Sequence, residues 1–239
     1  MNLKPLTRVQ GIVAALLLCL AIVLPAQQID SASLIQRLDA AVKARFENTL
    51  GYTVNEHYAV FRSNDEIHPV AEMSVKTTYR KESGKTYTIL SESGSAIMRK
   101  FVLGPLLDNE ASINLPANRE GAWFTSANYE MKLEPGPPQR LDGRDCLVLD
   151  LTPRRKAPHL IQGKMWVDAK DDFVVQIQGA ASKDPSVFTG PTQMFRQYIS
   201  VDGYAMALHS RAVSDSPLFG KTVVAIDYSD YQVQVRTAK

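Results

Sequence analysis

The chain has 239 residues, of which 45% are hydrophobic and 22% charged, a composition typical of one globular domain with a sizeable core. Its 27 lysines and arginines nearly balance its 25 aspartates and glutamates, and the first 26 residues hold two of the basic residues and no acid. The remainder, with 25 residues of each sign, offers no electrostatic footprint for a nucleic acid, so this class of partner is excluded.

The N-terminus has the pattern of a secretory signal peptide. Two basic residues precede an uncharged stretch over residues 11–24, and Ala26 offers a small residue at a cleavage site. The stretch is shorter than the roughly 20 apolar residues that span a bilayer. We therefore expect residues 1–26 to be a signal peptide, residues 27–239 to form a single domain, and the product to be periplasmic or secreted. An uncleaved N-terminal anchor is the alternative.

The two cysteines do not predict a disulfide bond. Cys19 leaves with the signal peptide, which makes Cys146 the single cysteine of the domain. Cys146 lies in the strand-like stretch "RDCLVLDL" and is predicted to be a small buried residue. A reactive thiol would need an exposed, electropositive setting, which this stretch does not supply.

The first predicted element of the domain is an amphipathic helix over residues 31–50. Ser31 or Ser33 can cap its N-terminus, and Gly51 is expected to end it. The apolar face of this helix consists of Leu34, Ile35, Leu38, Ala41, Val42 and Phe46. One side of the helix must therefore pack on an apolar surface.

Alternating polar and apolar residues then predict strands along most of the chain. Residues 52–90 contain strands with a hairpin around Ser83-Gly84, a second helix covers residues 95–103 and ends at "GPLL", and residues 108–128 are predicted to be irregular. The rest is a series of hairpins, among them "GKMWVDAKDDFVVQIQG" and a two-residue turn at Asp202-Gly203.

These elements predict an α+β fold that is mainly β. About nine to eleven strands are expected, and the absence of βαβ alternation favours antiparallel pairing. The architecture is one large curved antiparallel sheet, a half-open barrel, with one to three helices covering its concave face. A sheet wrapped around so few helices encloses either a packed core or a cavity for apolar ligands.

No motif indicates catalysis, a cofactor or a metal. Phosphate loops, dinucleotide-binding turns and nucleophile elbows are absent, and the four histidines are too dispersed to form a zinc site. The stretch "DAKDD" lacks the glycine and the final acid of a calcium-binding loop and is interpreted as a solvated turn. The remaining enzymatic alternative is a hydrolase that uses His57 or His209 with a nearby serine or aspartate.

Three stretches in the second half, "LDGRDCLVLDLTP", "GKMWVDAKDDFVVQIQG" and "IDYSDY", carry a family resemblance over about residues 128–233. This part of the chain resembles the LolA/LolB-like outer-membrane lipoprotein-sorting proteins of bacteria. The resemblance implies a half-open barrel with a hydrophobic concave face that carries acylated lipoproteins. It also implies an arginine that couples lid opening to release, for which Arg62, Arg80 and Arg196 are candidates, although none stands in a recognisable motif.

The sequence therefore predicts a non-enzymatic periplasmic carrier, a monomer without a cofactor or metal. The expected partners are lipid acyl chains or a lipidated protein, and a transport complex of the outer or inner membrane is a further candidate. The residues predicted to line a hydrophobic cavity are Leu38, Val42, Phe46, Met73, Val75, Trp166, Phe195 and Tyr198. A one-residue change of strand register would move the sheet residues to the other face.

A protein-interaction or scaffold domain is the alternative to the carrier. Such a domain would have a core filled by its own side chains. It would instead present an exposed sheet edge or an apolar surface patch to a partner.

Overall fold

One open sheet of eleven antiparallel strands dominates the structure, a computed structural model that describes residues 30–184, 190–216 and 220–236. The strands are β1 (Thr49–Arg62), β2 (Ala71–Arg80), β3 (Gly84–Gly94), β4 (Tyr129–Leu133), β5 (Gln139–Leu141), β6 (Arg144–Pro153), β7 (Ile161–Asp168), β8 (Val174–Ala181), β9 (Thr192–Val201), β10 (Tyr204–Ser216) and β11 (Gly220–Val235). Their order is β3-β2-β1-β11-β10-β9-β8-β7-β6-β4, with β5 paired to β6. The predicted fold class is confirmed, whereas the predicted signal peptide lies outside the described residues.

The first helix, α1 (Ser31–Asn48), begins at the predicted residue but has a different cap and ends two residues earlier. Asp30 caps it, because its carboxylate accepts hydrogen bonds from the backbone N–H groups of Ala32 and Ser33. The helix ends at Asn48, and β1 begins at the next residue. Gly51 therefore belongs to β1, where a Cβ atom would lie 2.8 Å from the carbonyl oxygen of Tyr79.

The second helix is longer than predicted. α2 (Ala96–Met98) continues through a π-helical turn, Arg99–Leu103, into α3 (Gly104–Ile113). "GPLL" does not end it, because Pro105 stands in the first turn of α3, where a missing N–H group is tolerated. A short 3-10 turn, Arg119–Ala122, then lies within the segment that was predicted to be irregular.

Two apolar clusters pack on the concave face of the sheet, one under each helix. The first cluster lies between α1 and strands β4, β6, β7 and β8, and its buried members are Leu34, Leu38, Tyr129, Met131, Leu147, Leu149, Leu151, Ala157, Leu160, Ile161, Met165, Val167 and Ile177. The second cluster lies between the helical segment 96–113 and strands β1, β2 and β11, and its buried members are Tyr58, Val60, Ala71, Met73, Val75, Met98, Leu103, Leu107, Val224 and Ile226. The helices thus cover two separate parts of the sheet.

Two Asp-Gly pairs form the tightest hairpins. Asp202 and Gly203 have φ angles of 50° and 80°, which confirms the predicted two-residue turn between β9 and β10. Asp142 and Gly143, with φ angles of 48° and 78°, make the same turn between β5 and β6. Both turns join neighbouring antiparallel strands, and the first of them was predicted from the sequence.

Two glycines on facing strands allow an unusually close approach of β7 and β8. Gly163 pairs with Gly179, and a Cβ atom at Gly179 would lie 2.3 Å from the carbonyl oxygen of Gln162. We expect Gly179→Ala to lower the free energy of unfolding by about 1–3 kcal/mol, because the added methyl group has to displace backbone.

Gly104→Ala is the matched control for this substitution. The nearest atom to a Cβ at this helical position is 3.5 Å away, so alanine should stabilise the chain by about 0.5–1 kcal/mol. Denaturant unfolding of both variants measures the difference. Similar small effects at the two positions would contradict the close approach of the strands.

Candidate functional site

The middle of the concave face lies between the two helix-covered clusters. Strands β9 and β10 occupy this position, and their register pairs Met194 with Ala212 and Arg196 with Ser210. Met194, Arg196 and Ala212 are half-buried, as is Tyr198 further along β9, whereas most sheet residues under the helices are fully buried. We use the name central groove for the strip formed by Met194, Arg196, Tyr198, Ser210 and Ala212.

Polar and aromatic contacts beside the first cluster also fasten α1 to the rest of the chain, among them a hydrogen bond from Lys81 Nζ to the carbonyl oxygen of Glu47. The ring of Phe46 stacks on that of Trp123 with centroids 4.4 Å apart, and Asp39 accepts a hydrogen bond of 2.8 Å from the backbone N–H of Ser126. At the other end, Arg37 lies 2.6 Å from Asp172 in the β7–β8 hairpin. The predicted solvated turn thus contributes an ion pair that holds α1.

An ion pair stands on the concave face near the central groove. Lys85 Nζ lies 2.9 Å from Glu110 Oε2, and the side-chain amide of Asn114 donates to the same oxygen at 3.4 Å. The Lys85 and Glu110 side chains are only 12% and 25% exposed. Lys85 holds the pKa of Glu110 down to about 2 against the effect of burial, so this carboxylate is ionised at neutral pH.

Arg196 belongs to the same network but is less fully paired. Its Nε donates to Ser210 Oγ at 2.8 Å, and the Ser210 hydroxyl in turn donates to Tyr228 at 3.5 Å. The closest approach of its Nη2 atom to Glu110 Oε1 is 4.0 Å, which is longer than a hydrogen bond. Within the described part of the chain, neither Nη atom makes a hydrogen bond, and the carboxylate oxygen nearest to them is that of Glu110.

The structure distributes six of the predicted lining residues over the helices and the concave face. Three of them are fully buried in the apolar clusters, two are half-buried on α1, and one lies in the central groove. The fully buried residues are Leu38, Met73 and Val75. The half-buried residues of α1 are Val42 and Phe46, and the residue in the central groove is Tyr198.

Trp166 and Phe195 lie on the opposite, convex face, which corrects their predicted placement. Trp166 stands between two buried residues of the first cluster, and its indole N–H donates to Gln139 at 3.0 Å. Phe195 stands between Met194 and Arg196, and its ring approaches that of His209. Strand alternation therefore points both aromatic rings away from the helices.

Sequence reasoning missed most of the central groove. Met194, Ser210 and Ala212 lie in strands whose pattern fits either face, so no local signal distinguished them. Of the three candidate arginines, Arg62 and Arg80 are exposed at strand ends, whereas Arg196 lies in the groove.

The convex face carries the two histidines considered for hydrolysis. His57 Nδ1 lies 3.2 Å from Ser74 Oγ, and its Nε2 lies 3.3 Å from Glu72. Ester or amide hydrolysis also needs donors for the oxyanion and a pocket for the acyl group. Ser74 instead lies within a strand paired on both sides, and the His57 side chain is 46% exposed. His57 and Ser74 therefore form a hydrogen-bonded pair on an open surface, without the pocket that hydrolysis needs.

Four exposed apolar side chains lie along the edge strand β3 and the helical segment that follows it. Ile89 and Leu90 on β3 are 52% and 58% exposed, and Ile97 and Phe101 after the β3–α2 turn are each 58% exposed. Apolar surface of this kind, beside an edge strand, is typical of an interaction site. It favours the interaction domain, the alternative to the carrier.

An open depression lies on the convex side of β9, where Gln197 and Ile199 stand on the same face of the strand as Phe195. Its volume is about 430 Å³, and it is lined in part by Phe173, Ile199 and Leu208.

In the described ranges, no helix is long and apolar enough to cross a membrane, and no three His, Cys, Asp or Glu side chains gather as metal ligands. Cys146 is fully buried, as predicted.

Comparisons with known proteins give similarity to solved structures only. No family model and no curated protein sequence matches the chain. A LolA superfamily protein from Nitrosomonas europaea is 13% identical, with 86% of this chain and 94% of that chain covered and a TM-score of 0.45. A domain named for outer membrane lipoprotein sorting, from Vibrio parahaemolyticus, is 12% identical, with coverage of 85% and 93% and a TM-score of 0.46.

A third solved structure is a DUF1329 family protein from Desulfovibrio piger. It is 14% identical, with coverage of 86% and 92% and a TM-score of 0.42. The first two names are those of the family that the second half of the sequence resembles.

Proposed function

We propose that the chain is a non-enzymatic carrier that binds an acyl chain, of a lipid or of a lipidated protein, in the central groove. The observation that carries the proposal is the half-buried apolar surface of Met194, Tyr198 and Ala212 between two helix-covered clusters. An acyl chain gains about 0.8 kcal/mol for each buried CH₂ group, so such a surface binds it without precise polar chemistry.

The helices act as movable covers in this proposal. Outside the first cluster, α1 is held by the Phe46–Trp123 stack, by the two hydrogen bonds of Arg37 to Asp172 and by those of Ser126 to Asp39, and binding of the ligand requires these contacts to give way. Val42 and Phe46 then contact the ligand beside the groove. Leu38, Met73 and Val75 are buried under the helices and reach the ligand only when those helices move.

The predicted signal peptide supports a periplasmic or secreted location. In that compartment the carrier would exchange its acylated cargo with a membrane or with a membrane transport complex. Neither exchange requires catalysis by the carrier, since the cargo is bound and released unchanged.

Filling the groove tests the proposal. We expect Met194→Trp to weaken binding of a fluorescent acyl probe by roughly tenfold or more, because an indole replaces the space of several CH₂ groups. Gln193→Trp places the same side chain on the adjacent, exposed position of β9 and should leave affinity unchanged. Fluorescence titration measures both, and denaturant unfolding verifies that both variants fold. Equal affinities of the two variants would exclude the groove as the binding site.

The interaction domain remains the second candidate, since the exposed side chains of Ile89, Leu90, Ile97 and Phe101 favour it. In that case no acyl probe would bind to the wild-type chain. Phe101→Ser would instead weaken association of the protein with itself or with its partner, measured by sedimentation.

A further inference from the structure

The central groove contains a guanidinium, that of Arg196, whose terminal nitrogen atoms make no hydrogen bond within the described residues and have only the Glu110 carboxylate beside them, at 4.0 Å. Arg196 donates to Ser210 only through Nε, at 2.8 Å, and its side chain is 31% exposed although it stands on the concave face of a central strand. An arginine placed in this way presents a planar pair of N–H donors to the groove.

Glu110 does not satisfy this guanidinium. Its Oε2 atom already accepts from Lys85 and Asn114, and its Oε1 atom remains 4.0 Å from Arg196 Nη2. The second nearby carboxylate, Glu56, is fully buried and accepts a hydrogen bond from the hydroxyl of Tyr58. The direct contacts therefore leave the Nη atoms of Arg196 without a carboxylate at hydrogen-bond distance.

A second donor stands beside Arg196. The Tyr228 oxygen accepts from Ser210 at 3.5 Å, so its own O–H remains available as a donor. Burial raises the pKa of Tyr228 to about 12, and the phenol is therefore neutral at physiological pH. Charged and neutral donors in this arrangement suit the oxygen atoms of a carboxylate or a phosphate.

Apolar side chains flank Arg196 on the same strand face. Met194 and Tyr198 lie two residues before and after it, and both pack against the first cluster. An anionic group at Arg196 would therefore lie directly beside apolar surface that can contact a hydrocarbon chain. This juxtaposition of charge and apolar surface is what an amphiphile with one anionic end requires.

We propose that the central groove recognises the anionic end group of its acyl ligand, a carboxylate or a phosphate, through the guanidinium of Arg196 and the hydroxyl of Tyr228. The inference rests on the proposed carrier function and adds the chemical class of the ligand to it. The chain of the ligand lies along Met194 and Tyr198.

Three oleoyl probes of different end group test the inference. Competition against a fluorescent acyl probe at about pH 8, where the acids are ionised, compares oleate, oleoyl lysophosphatidate and the neutral ester monoolein. We expect the wild-type chain to bind at least one of the two anions roughly tenfold or more tightly than monoolein, which is the usual range for a charge-assisted pair. The preferred anion distinguishes a carboxylate from a phosphate ligand.

Arg196→Gln should abolish this preference and leave the affinity for monoolein within about twofold. Arg211→Gln is the matched control on the convex face, where the arginine is paired with Glu66 at 2.8 Å, and should retain the preference. Tyr228→Phe, which keeps the ring, should reduce the preference about threefold or more.

Each outcome of the competition decides between the two proposals. Equal binding of all three probes to the wild type would overturn the anion site and keep the carrier function. A preference that survives Arg196→Gln would also overturn it. Binding of none of the probes would overturn both proposals. The wild-type comparison stands even where a variant fails to fold.

Discussion

Replacing Lys85 by methionine is expected to lower the free energy of unfolding by about 3–5 kcal/mol. The substitution keeps the length of the side chain but removes the only cation within hydrogen-bond distance of the Glu110 carboxylate among the described residues, since Arg196 lies 4.0 Å away. Asn114 cannot replace the lost charge at its distance of 3.4 Å. Denaturant unfolding of the variant measures the loss.

The surface pair of Lys43 and Glu47 provides the control for this prediction. These side chains are 69% and 58% exposed and 3.7 Å apart, so Lys43→Met should cost less than about 0.5 kcal/mol. The double variant Lys85→Met/Glu110→Leu should recover most of the loss, because it removes both charges together. A Lys85→Met variant as stable as Lys43→Met would contradict the importance of the pair.

Acid should remove the same contribution from the wild type. The pKa of Glu110 in the folded chain is about 2, below its ordinary value of 4.5, because of Lys85. The folded state therefore binds this proton more weakly than the unfolded state, so the stabilisation is fully present above about pH 5 and is lost as the pH falls toward 2. The difference between the wild type and Lys85→Met should narrow over this range.

Replacing Leu38 by alanine is expected to cost about 2–5 kcal/mol. Leu38 is 1% exposed and joins α1 to the first cluster, so its loss leaves a cavity at the contact between helix and sheet. The cost exceeds that of lost surface alone, because the packed sheet beneath the helix cannot collapse into the space.

Leu50 serves as the comparison for Leu38. It is 40% exposed at the start of β1, and its truncation should cost less than about 1 kcal/mol. Thermal or denaturant unfolding of Leu38→Ala and Leu50→Ala tests the difference. Equal losses would show that α1 does not pack on the sheet as described.

The elements that depend on local chemistry were predicted well. Helical periodicity located α1, and the Asp202-Gly203 pair located its hairpin, because this dipeptide readily adopts the positive φ angles that the turn requires. Pro105 misled the prediction for the second helix, since a proline in the first turn of a helix looks the same in sequence as one that ends the preceding helix.

The candidate site depended on information that no local pattern contains. Lys85, Glu110 and Arg196 come from β3, α3 and β9, and only the sheet order and the path of the helix bring them together. Trp166 was assigned to the wrong face because an alternating strand fits both faces equally, and a register shift follows it in its pairing with β8.

Native mass spectrometry of the protein purified from its own cells tests the central claim, that the concave face carries an acyl ligand, most directly. We expect an excess mass that is released on denaturation and extracted into organic solvent as an acylated molecule. The Met194→Trp variant, purified in the same way, should lack this mass, and Gln193→Trp should retain it. A wild-type protein of unmodified mass that also fails to bind added oleoyl probes would contradict the account.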